Sequence, residues 1–129
     1  MNKGKQVTSN QHLSNCSRYD VVRGDLLSML SWPIGAVIAQ SCHASTAALW
    51  MHRDDSNTLQ YTSDLDNKHK VVVEAPSPDE LGEIIRNYAT DEIDHNLWIE
   101  QSQNIPTCLA TQPYPKQQIH SYLQSLNLF

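Results

Sequence analysis

Ser31-Trp32-Pro33-Ile34-Gly35-Ala36-Val37-Ile38-Ala39-Gln40-Ser41-Cys42-His43-Ala44 is the stretch whose reading decides the fold. It predicts a helix with almost no polar face. Pro33 can occupy the first helical turn, where its missing N–H costs nothing, and Ser31 just upstream is a candidate cap. Small and apolar residues continue through Ala44, Ala47, Ala48 and Leu49, so the helix is expected to reach about Arg53 and to be buried nearly all round. Gln40 and His43, three apart, share one face with Ala36 and Ala47 above and below them. Two polar side chains in an apolar helix need partners, and this pair marks the place to look for a site.

Upstream, Tyr19 to Arg23 reads as a short strand centred on Val21 and Val22, ended by Gly24-Asp25, with Leu26 to Leu30 a loop. Downstream, Asp54-Asp55-Ser56-Asn57 is a turn signal, and Asn57 is placed to cap a short helix holding Leu59, Tyr61 and Leu65. Lys70-Val71-Val72-Val73-Glu74-Ala75 is a strand whose unbroken valines suggest cover on both faces. Ser77-Pro78-Asp79-Glu80 is a capping box, and Leu81, Ile84, Ile85, Tyr88 and Ala89 follow as one apolar stripe. Asn96 to Glu100 and Thr107 to Thr111 read as two further strands. After Pro113-Tyr114-Pro115 comes a last helix with Ile119, Tyr122, Leu123 and Leu126 inward. The order β-α-(α)-β-α-β-β-α predicts a single α/β domain. Its four-stranded mixed sheet is expected to be mostly parallel, with helices on both faces and one antiparallel pair from the short last β–β link. Residues 1–15 are polar and read as a flexible tail, leaving 16–129 as the domain.

A chain of 129 residues supports one core. No apolar run approaches the roughly 18 residues of a membrane span, and the first residues lack the apolar centre of a secretory signal. Cys16, Cys42 and Cys108 are odd in number and widely spaced, which favours free thiols in a reducing compartment, hence the cytoplasm. The net charge of −5 argues against a broad nucleic-acid surface. Arg18, Arg23, Lys68 and Lys70 flank two of the strands and can cluster, although solvated surface charge is the simpler account of them.

None of the six histidines and three cysteines falls at a metal-binding spacing, so no metal is expected. Four glycines leave no phosphate loop or dinucleotide fingerprint, so no cofactor is expected either. A Cys108–His43 nucleophile pair is disfavoured, because burial in an apolar strand dulls a thiol. Gln40 and His43 remain, either as core polar groups satisfied by backbone or as a site. The second reading gains from their position just beyond a strand end, where open α/β sheets bind ligands. Glu100 closes the third strand near the same rim. A carboxylate, an imidazole and an amide converging there suit acid–base chemistry on an ester.

Val22-Arg23-Gly24-Asp25-Leu26, the block Gly35 to Ala44, and Lys70 to Pro76 together resemble the type 2 (archaeal/eukaryotic) peptidyl-tRNA hydrolase family. Ser31-Trp32-Pro33, His52-Arg53-Asp54, Leu97-Trp98-Ile99-Glu100-Gln101 and Pro113-Tyr114-Pro115 are similar to its divergent animal branch of peptidyl-tRNA hydrolase domain-containing proteins. The similarity runs from about residue 19 to the end. It implies a four-stranded mixed sheet flanked by helices and metal-free hydrolysis of the ester between a peptide and the terminal ribose of tRNA, which recycles the tRNA. By the same resemblance the family's glutamine falls on Gln40, its histidine on His43, its aspartate near Glu100 and its threonine on Thr107, while Arg23 and Lys70 are candidates to touch RNA. The family's lysine, four residues before the glutamine, is here Ala36. The loop from Glu100 to Thr107 is short and lacks the family's glycine–arginine–threonine segment. Two lost cations leave two expectations: hydrolysis of peptidyl-tRNA, or a hydrolase-like protein that binds RNA or a protein partner without turnover. The oligomeric state is left open, a homodimer included.

Overall fold

Valines and tyrosine at β-favouring positions build the first strand, and the structure, a computed structural model describing residues 16–129, extends it to Cys16–Arg23 (β1). The tail expected over residues 1–15 lies outside the described residues. Chain order continues with α1 (Asp25–Ser28), α2 (Ile34–Met51), α3 (Ser56–Ser63), β2 (His69–Ala75), α4 (Pro78–Thr90), β3 (His95–Glu100), β4 (Ile105–Thr111), β5 (Tyr114–Pro115) and α5 (Lys116–Leu123). The sheet runs β2-β1-β4-β3, and the two-residue β5 adds a fifth strand against the start of β1. It is a mixed, open sheet with helices on both faces, as expected.

The expected bias toward parallel pairing is overturned. Only β1 and β2 are parallel, joined by the crossover through α1 to α3; β1–β4, β3–β4 and β1–β5 are antiparallel. The reason is the hairpin: β4 turns back on β3 and then inserts beside β1, so every pairing it makes is antiparallel.

Alternation along β1 divides the core. Tyr19 and Val21 pack with Leu81, Ile84 and Tyr88 of α4 and with Ile119 and Leu123 of α5. Val22 packs on the other face with Leu26, Val37, Ala44 and Ala48. The α4 stripe forms as its capping box predicts: Ser77 Oγ accepts from Glu80 N and donates to the Glu80 carboxylate, with Pro78 at the first helical position.

Five local expectations need correction. Leu26 to Leu30 is not all loop, since α1 occupies its start. Ser31 does not cap α2; it sits at φ 55, and Pro33 is the cap residue, with no side-chain cap bond. Asp55, not Asn57, caps α3, accepting from Asn57 N at 2.9 Å. Finally, α2 is not buried all round: Ile34 and Ile38 are 56% and 54% exposed while Gln40 and Ser45 are buried. The face of α2 that meets the sheet meets polar side chains of β1, so its own polar residues turn inward. The valines of β2 are similarly less covered than expected, because β2 is an edge strand. Its edge is partly closed by the chain end, where Glu74 N donates to Asn127 O and Phe129 N to Val72 O.

Candidate active site

Gln40, Glu100 and Thr107 meet. Gln40 Nε2 donates to Glu100 Oε2 at 2.9 Å and to the Ala36 carbonyl at 3.2 Å, while Gln40 Oε1 accepts from Thr107 Oγ1 at 2.9 Å. The amide orientation follows from its neighbours. A carboxylate only accepts, so it must face the NH2 end, and the hydroxyl then supplies its proton to the oxygen. All of the amide's N–H donors are engaged. Gln40 is therefore an orienting group, holding one carboxylate oxygen of Glu100.

Each of these side chains arrives by a different local device. Gln40 lies nearly two turns into α2, and Glu100 is the last residue of β3. By the period of two, Trp98 and Glu100 share the face that α2 covers. Thr107 needs more. Its neighbours Cys108 and Ala110 pack on the α2 side, so regular alternation would aim Thr107 away from it. The β3–β4 register breaks between Trp98, which faces Cys108, and Ile99, which faces Pro106, leaving Thr107 without a partner. This bulge turns its hydroxyl to Gln40.

A shallow depression of about 280 Å³ opens over the group, lined by Trp32, Pro33, Ala36, Gln40, Glu100 and Gln103. His43, one turn along α2, is exposed and stacks its ring on Trp98, with centroids 4.5 Å apart and planes 18° from parallel. It makes no hydrogen bond to the other three. Cys108 is fully buried, and burial pushes its thiol far up.

The two cations expected near RNA are placed differently. Arg23 is 6% exposed and donates from Nε and Nη2 to the two Asp25 carboxylate oxygens at 3.0 and 2.6 Å. Its Nη1 donates to the Pro106 carbonyl at 3.0 Å, so the guanidinium ties the end of β1 to the residue before Thr107. Lys70 lies on the opposite flank of α2, where Nζ donates to Ser45 Oγ at 2.5 Å beside a separate cavity of about 290 Å³ lined by Val37, Ile38, Ser41 and Phe129.

Sequence reasoning missed the polar layer beneath α2. Arg18, read as solvated, is 1% exposed and donates to Ser45 Oγ and to the Ser45 carbonyl, both at 2.6 Å. Asp20 is fully buried and accepts from Ser41 Oγ at 2.7 Å. The signal was present in two spacings: Arg18 and Asp20 two apart on a strand, Ser41 and Ser45 four apart on a helix. Only a register that puts those faces together makes them partners. Among the described residues no cluster of three His, Cys, Asp or Glu is placed to hold a metal, and no helix is long and apolar enough to cross a membrane.

The family model described as peptidyl-tRNA hydrolase PTH2 matches residues 16–129, and the chain belongs to that family. It is 47% identical over 113 residues to the human protein named "Putative peptidyl-tRNA hydrolase PTRHD1", covering 87% of this chain and 81% of the human one. The mouse protein of the same name is 46% identical over the same length and shares of each chain. Among solved structures, a protein of unknown function from Agrobacterium tumefaciens matches with a TM-score of 0.57 over 89% of this chain and 98% of its own. At 11% identity that likeness speaks for the fold alone.

Proposed function

We propose that the depression over Gln40 and Glu100 hydrolyses the ester between a peptide and the terminal ribose of tRNA, in the translation cycle of the cytoplasm. The observation that carries this is the hydrogen-bonded line Thr107–Gln40–Glu100 at the rim of the sheet. With Oε2 held by Gln40, the second oxygen of Glu100 is left to take a proton from water. That water attacks the ester carbonyl, and collapse of the tetrahedral intermediate expels the ribose oxygen, which takes up a proton from His43, one turn along α2 from Gln40. Thr107 acts through Gln40, and Arg23 positions Thr107 through the Pro106 carbonyl. Lys70, on the other flank of α2, is left as a contact for RNA outside the reacting centre.

One observation favours a second reading, binding without turnover. The residues lining the depression include no cation, position 36 is alanine, and both donors of Gln40 are committed, so the developing oxyanion has no positive charge to meet it there. Release of peptide from purified peptidyl-tRNA separates the two readings. The hydrolase reading expects release above buffer from the unmodified protein, a fall of roughly 100-fold or more in E100Q and H43A, and a gain in A36K. No release from the unmodified protein, with binding of tRNA intact, establishes the second reading instead.

A further inference from the structure

The three tryptophans of the chain all fall on one flank of α2. Trp32 lines the depression beside Gln40 and Glu100. Trp98 carries the stacked His43 ring. Trp50, 67% exposed, stands at the far end with the Arg53 guanidinium 4.3 Å from its ring centroid. Helical periodicity sets this row, because Ala36, Gln40, His43, Ala47 and Trp50 recur at three- and four-residue steps. The β3 strand runs alongside in the opposite sense, its Glu100, Trp98 and Asn96 meeting Gln40, His43 and Met51 in turn. At 1.5 Å per residue, Gln40 and Trp50 are about 15 Å apart along the axis. That length matches about four stacked nucleotides at roughly 3.4 Å each.

Exposed Trp50 is held in place: Arg53 lies over its ring and donates from Nη1 to the Trp50 carbonyl at 2.9 Å. A ring with a preset cation suits a nucleobase, since every base offers a π face and a guanidinium joins the stack. The surroundings do not suit a phosphate-led contact, because exposed Asp54 follows Arg53 directly and the depression has no cation.

We propose that this flank of α2 is a stacking track for the single-stranded end of the substrate RNA. The reacting ribose lies over the depression and His43, and a preceding base lies on the Trp50–Arg53 platform. The inference rests on the hydrolase reading of that depression.

The test is the affinity of the purified protein for a single-stranded RNA tetranucleotide, measured by anisotropy beside peptide release from peptidyl-tRNA. Trp50→Ala is expected to weaken the tetranucleotide between about 5-fold and about 150-fold, the range for loss of one base–aromatic stack. Trp50→Phe is expected to recover most of that loss. Arg86→Ala, which removes a charge from the other face of the sheet, leaves the affinity unchanged. Among the described residues Arg53 is the one Lys or Arg on the track, so the slope of log affinity against log salt, measured above pH 7, is expected no steeper than about −0.7. A folded Trp50→Ala protein that binds as tightly as the unmodified one overturns the track and leaves the hydrolase reading standing, as does a steep salt slope unaffected by Trp50. Trp50-dependent binding without peptide release supports the track's contact with RNA and overturns the hydrolase reading alone.

Discussion

Thr107 shows how one residue acquires a role from a fault in a regular pattern. Its hydroxyl reaches Gln40 because the bulge leaves it unpaired. Thr107→Val keeps the shape and removes the donor, stranding a buried amide oxygen. It should cost about 1–3 kcal/mol of stability, read by urea denaturation. If Thr107 acts through Gln40, combining it with Gln40→Ala should slow peptide release no further than Gln40→Ala does alone. Additive losses would show that the hydroxyl works independently. Gln40, His43 and Glu100 were legible in the sequence as residue types near one rim, and Thr107 only through the family resemblance. The hydrogen bonds that join Gln40, Glu100 and Thr107 were not, because a period-of-two reading of β4 sends Thr107 to the wrong face. Arg23 was legible as a cation but not as a buried one, since nothing in Val22-Arg23-Gly24-Asp25 announces that the pair closes on itself and on Pro106.

At the scale of elements, local chemistry succeeded wherever it was self-contained. The α4 helix carries its own start signal and its own apolar stripe, so Ser77 to Ala89 could be read without a partner. Ser77→Ala should cost about 1 kcal/mol, read as a shift in the denaturation midpoint without a change of slope. A larger loss accompanied by a changed slope would mean that Ser77 does more than cap. The α2 helix is the contrary case. Its composition predicts burial on all sides, yet it turns Gln40, Ser41 and Ser45 toward the sheet and leaves Ile34, Ile38 and Trp50 at the surface. The winning influence is β1, which presents Arg18 and Asp20 to it. Unpaired buried polar groups cost more than exposed apolar ones, and the helix is rotated accordingly.

Across the whole molecule that polar layer makes stability depend on pH. Burial is the leading influence on Asp20 and raises its carboxyl above the usual 3.8, outweighing Ser41, Lys70 and Arg18. A carboxyl raised in the folded state contributes stability that is complete below its unfolded value and is lost as pH rises through its folded value. Asp20→Asn should therefore melt at a higher temperature than the unmodified protein at pH 7, with the gap closing as the pH falls toward about 4, checked by thermal melts across that range. A gap that does not change with pH would assign the effect to packing and not to charge.

The sequence by itself determined the order of the main elements, the α/β class, the capped α4 and the residue types gathered at the rim, because caps, periodicities and turn signals act over a few neighbouring residues. Membership of the peptidyl-tRNA hydrolase PTH2 family was likewise written in short blocks of it. Only the tertiary structure decided which strands pair in parallel, which face of α2 is inside, that Arg18 and Arg23 are buried, and that three distant tryptophans share one flank. Those outcomes depend on register and on the exchange of burial for polar pairing between segments far apart in the chain, and no local signal carries either.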